Sequence, residues 1–182
     1  MRNAEFGRKS DFSRYPYVKL VIGGSSMALF LVQHGISAPK DIDPEKGLSD
    51  LGREETNRIA QAAKGYKIPV QKIVHSGKKR AEQTAGIFHE ILALEIPTKK
   101  ISGINPMDDV RIFAATIELE GNLMVVGHMP FMERLVSFLT TGSENCRVFE
   151  FQNSGIICLD MERGEDNKED WFIKWTLNPN IS

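Results

Sequence analysis

Short apolar runs alternate along this chain with longer segments of three-and-four spacing, and the runs stop on polar residues followed by glycine or a helix start. Leu29-Phe30-Leu31-Val32 is a continuous apolar run, partly β-branched or aromatic, which predicts a buried strand ending at Gln33, His34 and Gly35. Further strands are predicted over residues 69–76, with Gly77 turning the chain out, and over residues 123–127, ending on His128; residues 99–104 suit a short edge strand. A helix is expected over about residues 50–64, with Ser49 as its cap, Leu51, Ile59, Ala62 and Ala63 facing inward and Gly65 ending it. The stripe Ala81, Thr84, Ala85, Phe88, Ile91 and Leu92 predicts a second helix. Asn105 to Asp109 cap a third, with Val110, Phe113, Ala114 and Ile117 inward, and Pro130 is placed at the first position of a fourth carrying Phe131, Leu135, Val136 and Leu139. Residues 148–151, 155–161 and 171–177 read as strands, and the charged run 162–170 as a solvated hairpin loop. Residues 36–48, rich in Asp, Pro and Lys, form an excursion over the sheet edge. Strands alternating with helices predict an α/β fold, a three-layer α/β/α sandwich on a mostly parallel, doubly wound sheet. In such sheets ligands sit outside the carboxyl ends of the strands, where His34 and His128 fall, and glycine beside His34 lets a ligand come close.

Composition narrows the class. A chain of 182 residues with 41% hydrophobic and 26% charged residues suits one soluble domain. A net charge of −1 disfavours a general nucleic-acid or membrane-surface binder, while leaving room for a local basic pocket. No run approaches the roughly 20 apolar residues of a membrane helix, so a cytoplasmic protein is expected. Cys146 and Cys158 are too few for a disulfide scaffold and are read as reduced. Residues 1–26 differ from the rest, with five basic residues (Arg2, Arg8, Lys9, Arg14, Lys19) against Glu5 and Asp11 and a Gly-Gly-Ser-Ser end. They read as a non-native or disordered leader before a single domain at 27–182, and deleting them is expected to leave stability and activity unchanged. Residues 18–22 make a poor signal-peptide core, and would be an added edge if they pair as a strand.

Three residues carry candidate chemistry. Taken alone, His34 is as well explained as an ordinary strand-end histidine. Arg80 lies in the first turn of a helix that starts at a strand end, where a cation opposes the helix dipole; a bound anion removes that conflict, and a nearby acid or solvent would be the plain alternative. His128 stands at a second strand-to-helix junction. His75 and His89 are read as structural. Asp108 and Asp109 serve a helix start, and one of them is a candidate proton donor. Two imidazoles and a guanidinium together can attack phosphorus, hold a phosphoryl group and stabilise its oxygens, with no metal or cofactor required. A zinc reading of His34 and His128 is weaker, since no third ligand falls at a suitable spacing.

The strings L-V-Q-H-G, L-S-D-L-G-R-E-E, V-H-S-G-K-K-R-A-E-Q-T-A and V-V-G-H-M-P-F, in this order, resemble the histidine phosphatase (phosphoglycerate mutase-like) superfamily. The short chain and the R-A-E-Q-T string are similar to its SixA-type phosphohistidine phosphatase branch. The resemblance implies that His34 is the phosphorylated nucleophile, that Arg80 and His128 hold the transferring phosphoryl group, and that Ser76 organises a loop. It also implies a phosphatase whose substrate is a phosphorylated histidine protein, a carrier of a phosphorelay or phosphotransfer system, with inorganic phosphate as product.

Two departures from that pattern shape the expectation. Gln33 stands where the family motif R-H-G has arginine, so the phosphate pocket, built here from Gln33, His34, Arg80 and His128, loses a charge and a bidentate fork. A lost donor of this kind costs ~3 kcal/mol in the transition state, and a partial replacement less. Many family members also carry a glutamate acid after the third strand, where this chain has Asn105-Pro106-Met107-Asp108. An alkoxide leaving group would suffer from that loss, whereas the second ring nitrogen of a phosphohistidine takes its proton from water near neutral pH. Asp108 is the candidate substitute acid. The alternatives are a non-catalytic phosphate or phosphoprotein-binding module weakened by Gln33, and a broad small-molecule phosphomonoesterase.

Overall fold

Along β1 (Ala28–Gln33) successive side chains enter opposite cores, as the period of two in a strand requires. Ala28, Phe30 and Val32 join one cluster of buried residues with Ile59, Ala60 and Phe88, while Leu29 and Leu31 join another with Val110, Phe131 and Leu135. The first cluster is closed by α1 (Asp50–Gly65) and α2 (Lys79–Leu92), the second by α3 (Val110–Ala114) and α4 (Phe131–Thr141). The result is the expected three-layer sandwich. The computed structural model describes residues 27–117, 121–164 and 169–180, so the 1–26 leader lies outside the described residues.

The remaining strands are β2 (Lys72–His75), β3 (Lys99–Lys100), β4 (Leu123–Gly127), β5 (Ile156–Arg163) and β6 (Glu169–Leu177), in the order β3-β2-β4-β1-β5-β6. The four strands from β3 to β1 run parallel, and β5 and β6 close the sheet antiparallel. β1 therefore lies between the two halves, with its carboxyl end beside that of β4. Among the described residues no helix is long and apolar enough to cross a membrane.

Several details depart from expectation for local reasons. The inner face of α1 is Gly52, Thr56, Ile59, Ala60 and Ala63 with Glu55, while Leu51 is 54% exposed and Ala62 only half-buried. The helix is rotated because Gly52 lies against the loop after His34; a Cβ there would stand 2.1 Å from the Ile36 carbonyl oxygen. Ser49 does cap the helix, its hydroxyl accepting from the Gly52 N–H at 3.0 Å. Gly65 is the last residue of α1 as expected, but Tyr66 is the cap, and it is Lys67, not the glycine, that takes the left-handed conformation at φ 54°. Pro130 is the cap of α4 rather than its first residue. Residues 148–151 form no strand: Phe149 and Phe151 meet edge to face at 5.5 Å and turn into the α3–α4 core instead of joining a ladder. The charged run is shorter as a loop than expected, because the β5–β6 ladder extends to the pair Arg163 and Glu169; residues 165–168 lie outside the described residues. The edge strand predicted at 99–104 shrinks to Lys99–Lys100.

Candidate active site

Strand register brings the candidate residues together. β1 and β4 run parallel with Gln33 opposite Gly127, so the next residue of each strand is a histidine, and the backbone N–H of His34 donates to the Gly127 carbonyl at 3.1 Å. The two imidazoles lie with ring centroids 4.9 Å apart and planes inclined at 56°. On the other side of β4, β2 places His75 opposite Val126, which carries Ser76 to the His128 ring; its Oγ is 2.6 Å from His128 Nε2. The chain then turns directly into α2, whose first turn delivers Arg80, with Nε donating to His34 Nε2 at 2.9 Å. His34, Arg80 and His128, far apart in sequence, thus form one cluster at the carboxyl edge of the parallel half-sheet.

Hydrogen bonding fixes the state of the first imidazole. Nδ1 of His34 faces the Gly35 carbonyl at 2.8 Å, an acceptor only, so Nδ1 carries the proton and Nε2 offers a lone pair to Arg80. Burial, partly opposed by the Gly35 carbonyl and reinforced by the charges of Arg80 and Lys78, lowers the His34 pKa to about 4. Burial, then His34, Arg80 and Lys78, lowers that of His128 to about 3. Both rings are neutral at pH 7. His128 Nδ1 is buried without a hydrogen-bond partner, as is Gln33 Oε1.

Beneath the pocket the backbone is held at almost every polar group. Gly35 N–H donates to Thr84 Oγ1 at 3.0 Å, and that hydroxyl donates to the Arg80 carbonyl at 2.8 Å. Asn153 Nδ2 donates to the His34 carbonyl at 2.8 Å, and the Ser154 N–H to the Gln33 carbonyl at 2.9 Å. Thr56 bonds the Ser154 hydroxyl at 2.8 Å. The space beside Gly35 is taken by α1 and not by a ligand: a Cβ there would stand 2.6 Å from Thr56 Oγ1. Thr84, Asn153 and Ser154 were not singled out by sequence reasoning. Thr84 carried a signal, as a hydroxyl within an apolar stripe; Asn153 and Ser154 look like any turn before a strand.

The other candidates fall outside this cluster. Asp109 caps α3, accepting from the Arg111 N–H at 2.8 Å. Asp108 Oδ2 accepts from the backbone and side-chain amides of Asn105 at 2.7 and 3.1 Å, and its charge is felt by Lys78. His75 is buried and accepts from the Gly77 N–H at 3.2 Å. Cys146 and Cys158 are free, and burial pushes the Cys158 thiol up to about 11. Among the described residues no three His, Cys, Asp or Glu stand together as metal ligands.

No protein-family model matches the chain. In sequence it is 26% identical over 159 residues to the phosphohistidine phosphatase SixA of Escherichia coli, across 84% of this chain and 94% of that protein. In structure it matches the protein histidine phosphatase SixA complexed with tungstate, with a TM-score of 0.70 at 24% identity, over 84% of this chain and 97% of the other. The chain has the histidine phosphatase fold, and these two relatives carry the SixA name. A SixA-named structure from Agrobacterium tumefaciens agrees, with a TM-score of 0.67 at 22% identity, covering 86% of this chain and 100% of that one. These histidine phosphatase relatives carry names that describe phosphatases, which sets the reaction class of the branch; the shared architecture by itself fixes no substrate.

Proposed function

We propose that this chain is a phosphatase working through a phosphohistidine on His34, and that its substrate is a phosphorylated histidine of a protein. The observation that carries this reading is the Nε2 lone pair of His34, unprotonated, 2.9 Å from the Arg80 guanidinium and beside the His128 ring. A pKa of about 4 leaves that nitrogen nucleophilic at neutral pH with no general base to activate it.

In the proposed reaction the Arg80 N–H passes from His34 Nε2 to a phosphoryl oxygen, and the freed Nε2 lone pair forms a bond to phosphorus as the bond from phosphorus to the substrate imidazole breaks in line. A proton from water reaches the far ring nitrogen of the leaving group, which departs as neutral imidazole. Water then attacks the phosphohistidine, orthophosphate leaves, and Nε2 regains its lone pair. Arg80 places charge on the equatorial oxygens, and His128 contributes a ring nitrogen as donor once an anion is bound. Every polar charge in this scheme comes from side chains, so no metal or cofactor takes part in it. Asp108, held by Asn105, is the candidate acid for more basic leaving groups.

The name of the Escherichia coli relative supports the phosphohistidine substrate, as does the Pro106 region, where a strong acid for an alkoxide leaving group is missing. Comparing turnover of phosphoramidate with that of a simple alkyl phosphomonoester tests it. The expected result is a preference for phosphoramidate; a preference for the ester points to a broad phosphomonoesterase and overturns the substrate assignment. The second reading, a binding module that holds phosphate without turning it over, is favoured by one observation: Gln33 supplies no charge, and its Oε1 is buried and unpartnered.

A further inference from the structure

The pocket is short of positive charge for what it is proposed to hold. A phosphoryl group brings about two negative charges at neutral pH, while both imidazoles are neutral when it is empty and Gln33 contributes none. Among the described residues Arg80 is the cation hydrogen-bonded to His34. Directly before it, the cap of α2 is not one of the usual short polar residues but Lys78, which makes no side-chain cap bond. A cation there opposes the helix dipole, and it is half-buried only two residues from a second cation. Its neighbour Lys79 is neutralised by Asp43 and Glu45 at 3.1 and 3.0 Å. Among the described residues Lys78 has no such carboxylate partner. Its backbone N–H reaches Ser76 Oγ at 3.4 Å, the hydroxyl that meets His128.

We propose that Lys78 is the second cation of the phosphate pocket, reaching the phosphoryl oxygens in place of the guanidinium that Gln33 lacks. This rests on the reading of the pocket as a phosphoryl site. Lys78 is flanked by the two residues that touch the imidazoles, Ser76 and Arg80, so its side chain departs from the rim they share. Its charge acts on both imidazoles, that of Asp108 acts on it, and burial together with Arg80 holds its ammonium below the usual lysine range. Two unpaired cations at one helix start repel each other, and an oxyanion between them relieves the repulsion. The amide of Gln33 is then tolerated because the missing charge arrives from the next strand end and not from the nucleophile's own.

The test uses inorganic orthophosphate as the probe and the full chain as the protein. Lys78→Met is expected to weaken orthophosphate binding about 10- to 100-fold and to lower kcat/KM for phosphoramidate by a similar factor. Lys78→Arg should keep both within about 3-fold, and Lys64→Met, at the far end of α1, controls for lost net charge. Gln33→Arg introduced into Lys78→Met should restore most of the loss. The His34 ring, followed by NMR without phosphate, should titrate at higher pH in Lys78→Met, which a merely structural lysine would not cause. Unchanged binding in Lys78→Met, or no rescue by Gln33→Arg in a folded double variant, overturns the role of Lys78 while leaving the phosphatase reading intact. Loss of turnover in the parent chain with binding still dependent on Lys78 overturns catalysis and keeps the cation. If the parent chain does not bind orthophosphate, both are wrong. Should Lys78→Met not fold, Lys78→Gln carries the same comparisons.

Discussion

The ends of β1 and β4 look alike in sequence, each an apolar run stopping on a histidine, yet their histidines are held differently at Nδ1 and meet different partners at Nε2. At the end of β1 Nδ1 is tied to the Gly35 carbonyl and the Nε2 lone pair accepts from the cationic Arg80. At the end of β4 Nε2 meets the neutral hydroxyl of Ser76, and Nδ1 is buried without a partner. The backbone after β1 is fastened by Thr84, Asn153 and Ser154, so the ring that is proposed to attack is the one whose position costs no reorganisation. In the proposed reaction this difference separates the nucleophile from the group that holds the anion, although both are neutral imidazoles, His34 half-buried and His128 buried.

If that division of labour is right, His34→Ala abolishes turnover of phosphoramidate down to background, since no covalent intermediate can form; activity within tenfold of the parent would erase the distinction. Next in size, His128→Ala and Arg80→Ala each lower kcat/KM by about 10² to 10³ while a slow, still His34-dependent reaction persists. Gln33→Arg sharpens the comparison in the other direction, raising phosphate affinity or turnover by about tenfold, because it returns a charge to the β1 end. Ser76→Ala is expected to cost least, about 3- to 10-fold, by freeing the His128 ring without removing it. Steady-state kinetics on purified, folded variants checks all five.

The same two rings make stability depend on pH. Their ordinary pKa near 6.5 in the unfolded chain falls to about 4 and about 3 in the fold, so below pH 6.5 the unfolded state takes up protons that the native state refuses. Their contribution is complete above about pH 6.5 and is lost as pH falls towards those lower values, by roughly 1 to 2 kcal/mol per imidazole on going to pH 5. Urea denaturation at pH 7.5 and 5 reads this, and the loss should shrink by that amount in a His34→Ala, His128→Ala double variant, leaving the smaller part due to His75, whose pKa burial also lowers. Orthophosphate should offset it, because a bound dianion favours the protonated rings.

Much of this arrangement was legible in the sequence, and the parts that were not have physical reasons. The central strands and α2 were readable because they bury apolar side chains at the period of their own geometry. Leu51 misled because hydrophobicity outvoted contact: α1 turns Gly52 and Thr56 inward to reach the loop after His34, and small or polar residues on an inner face leave no hydrophobic signal. Phe149 and Phe151 looked like strand residues because burial without a ladder gives the same alternation. His34, Arg80 and His128 could be nominated one at a time, but their convergence is a matter of register between β1, β4 and β2, which a sequence does not state. Lys78 and the Thr84–Asn153–Ser154 support escaped notice for a similar reason: each matters only through neighbours supplied by another element.

The account stands most directly on the identity of the atom that accepts phosphorus. Brief incubation with phosphoramidate, acid-free quenching and peptide mass spectrometry should find one added phosphoryl group on the peptide containing His34, appearing before free phosphate accumulates and absent from His34→Ala. A phosphoryl group on His128 instead, or steady release of phosphate with no labelled histidine at any time point, would contradict it.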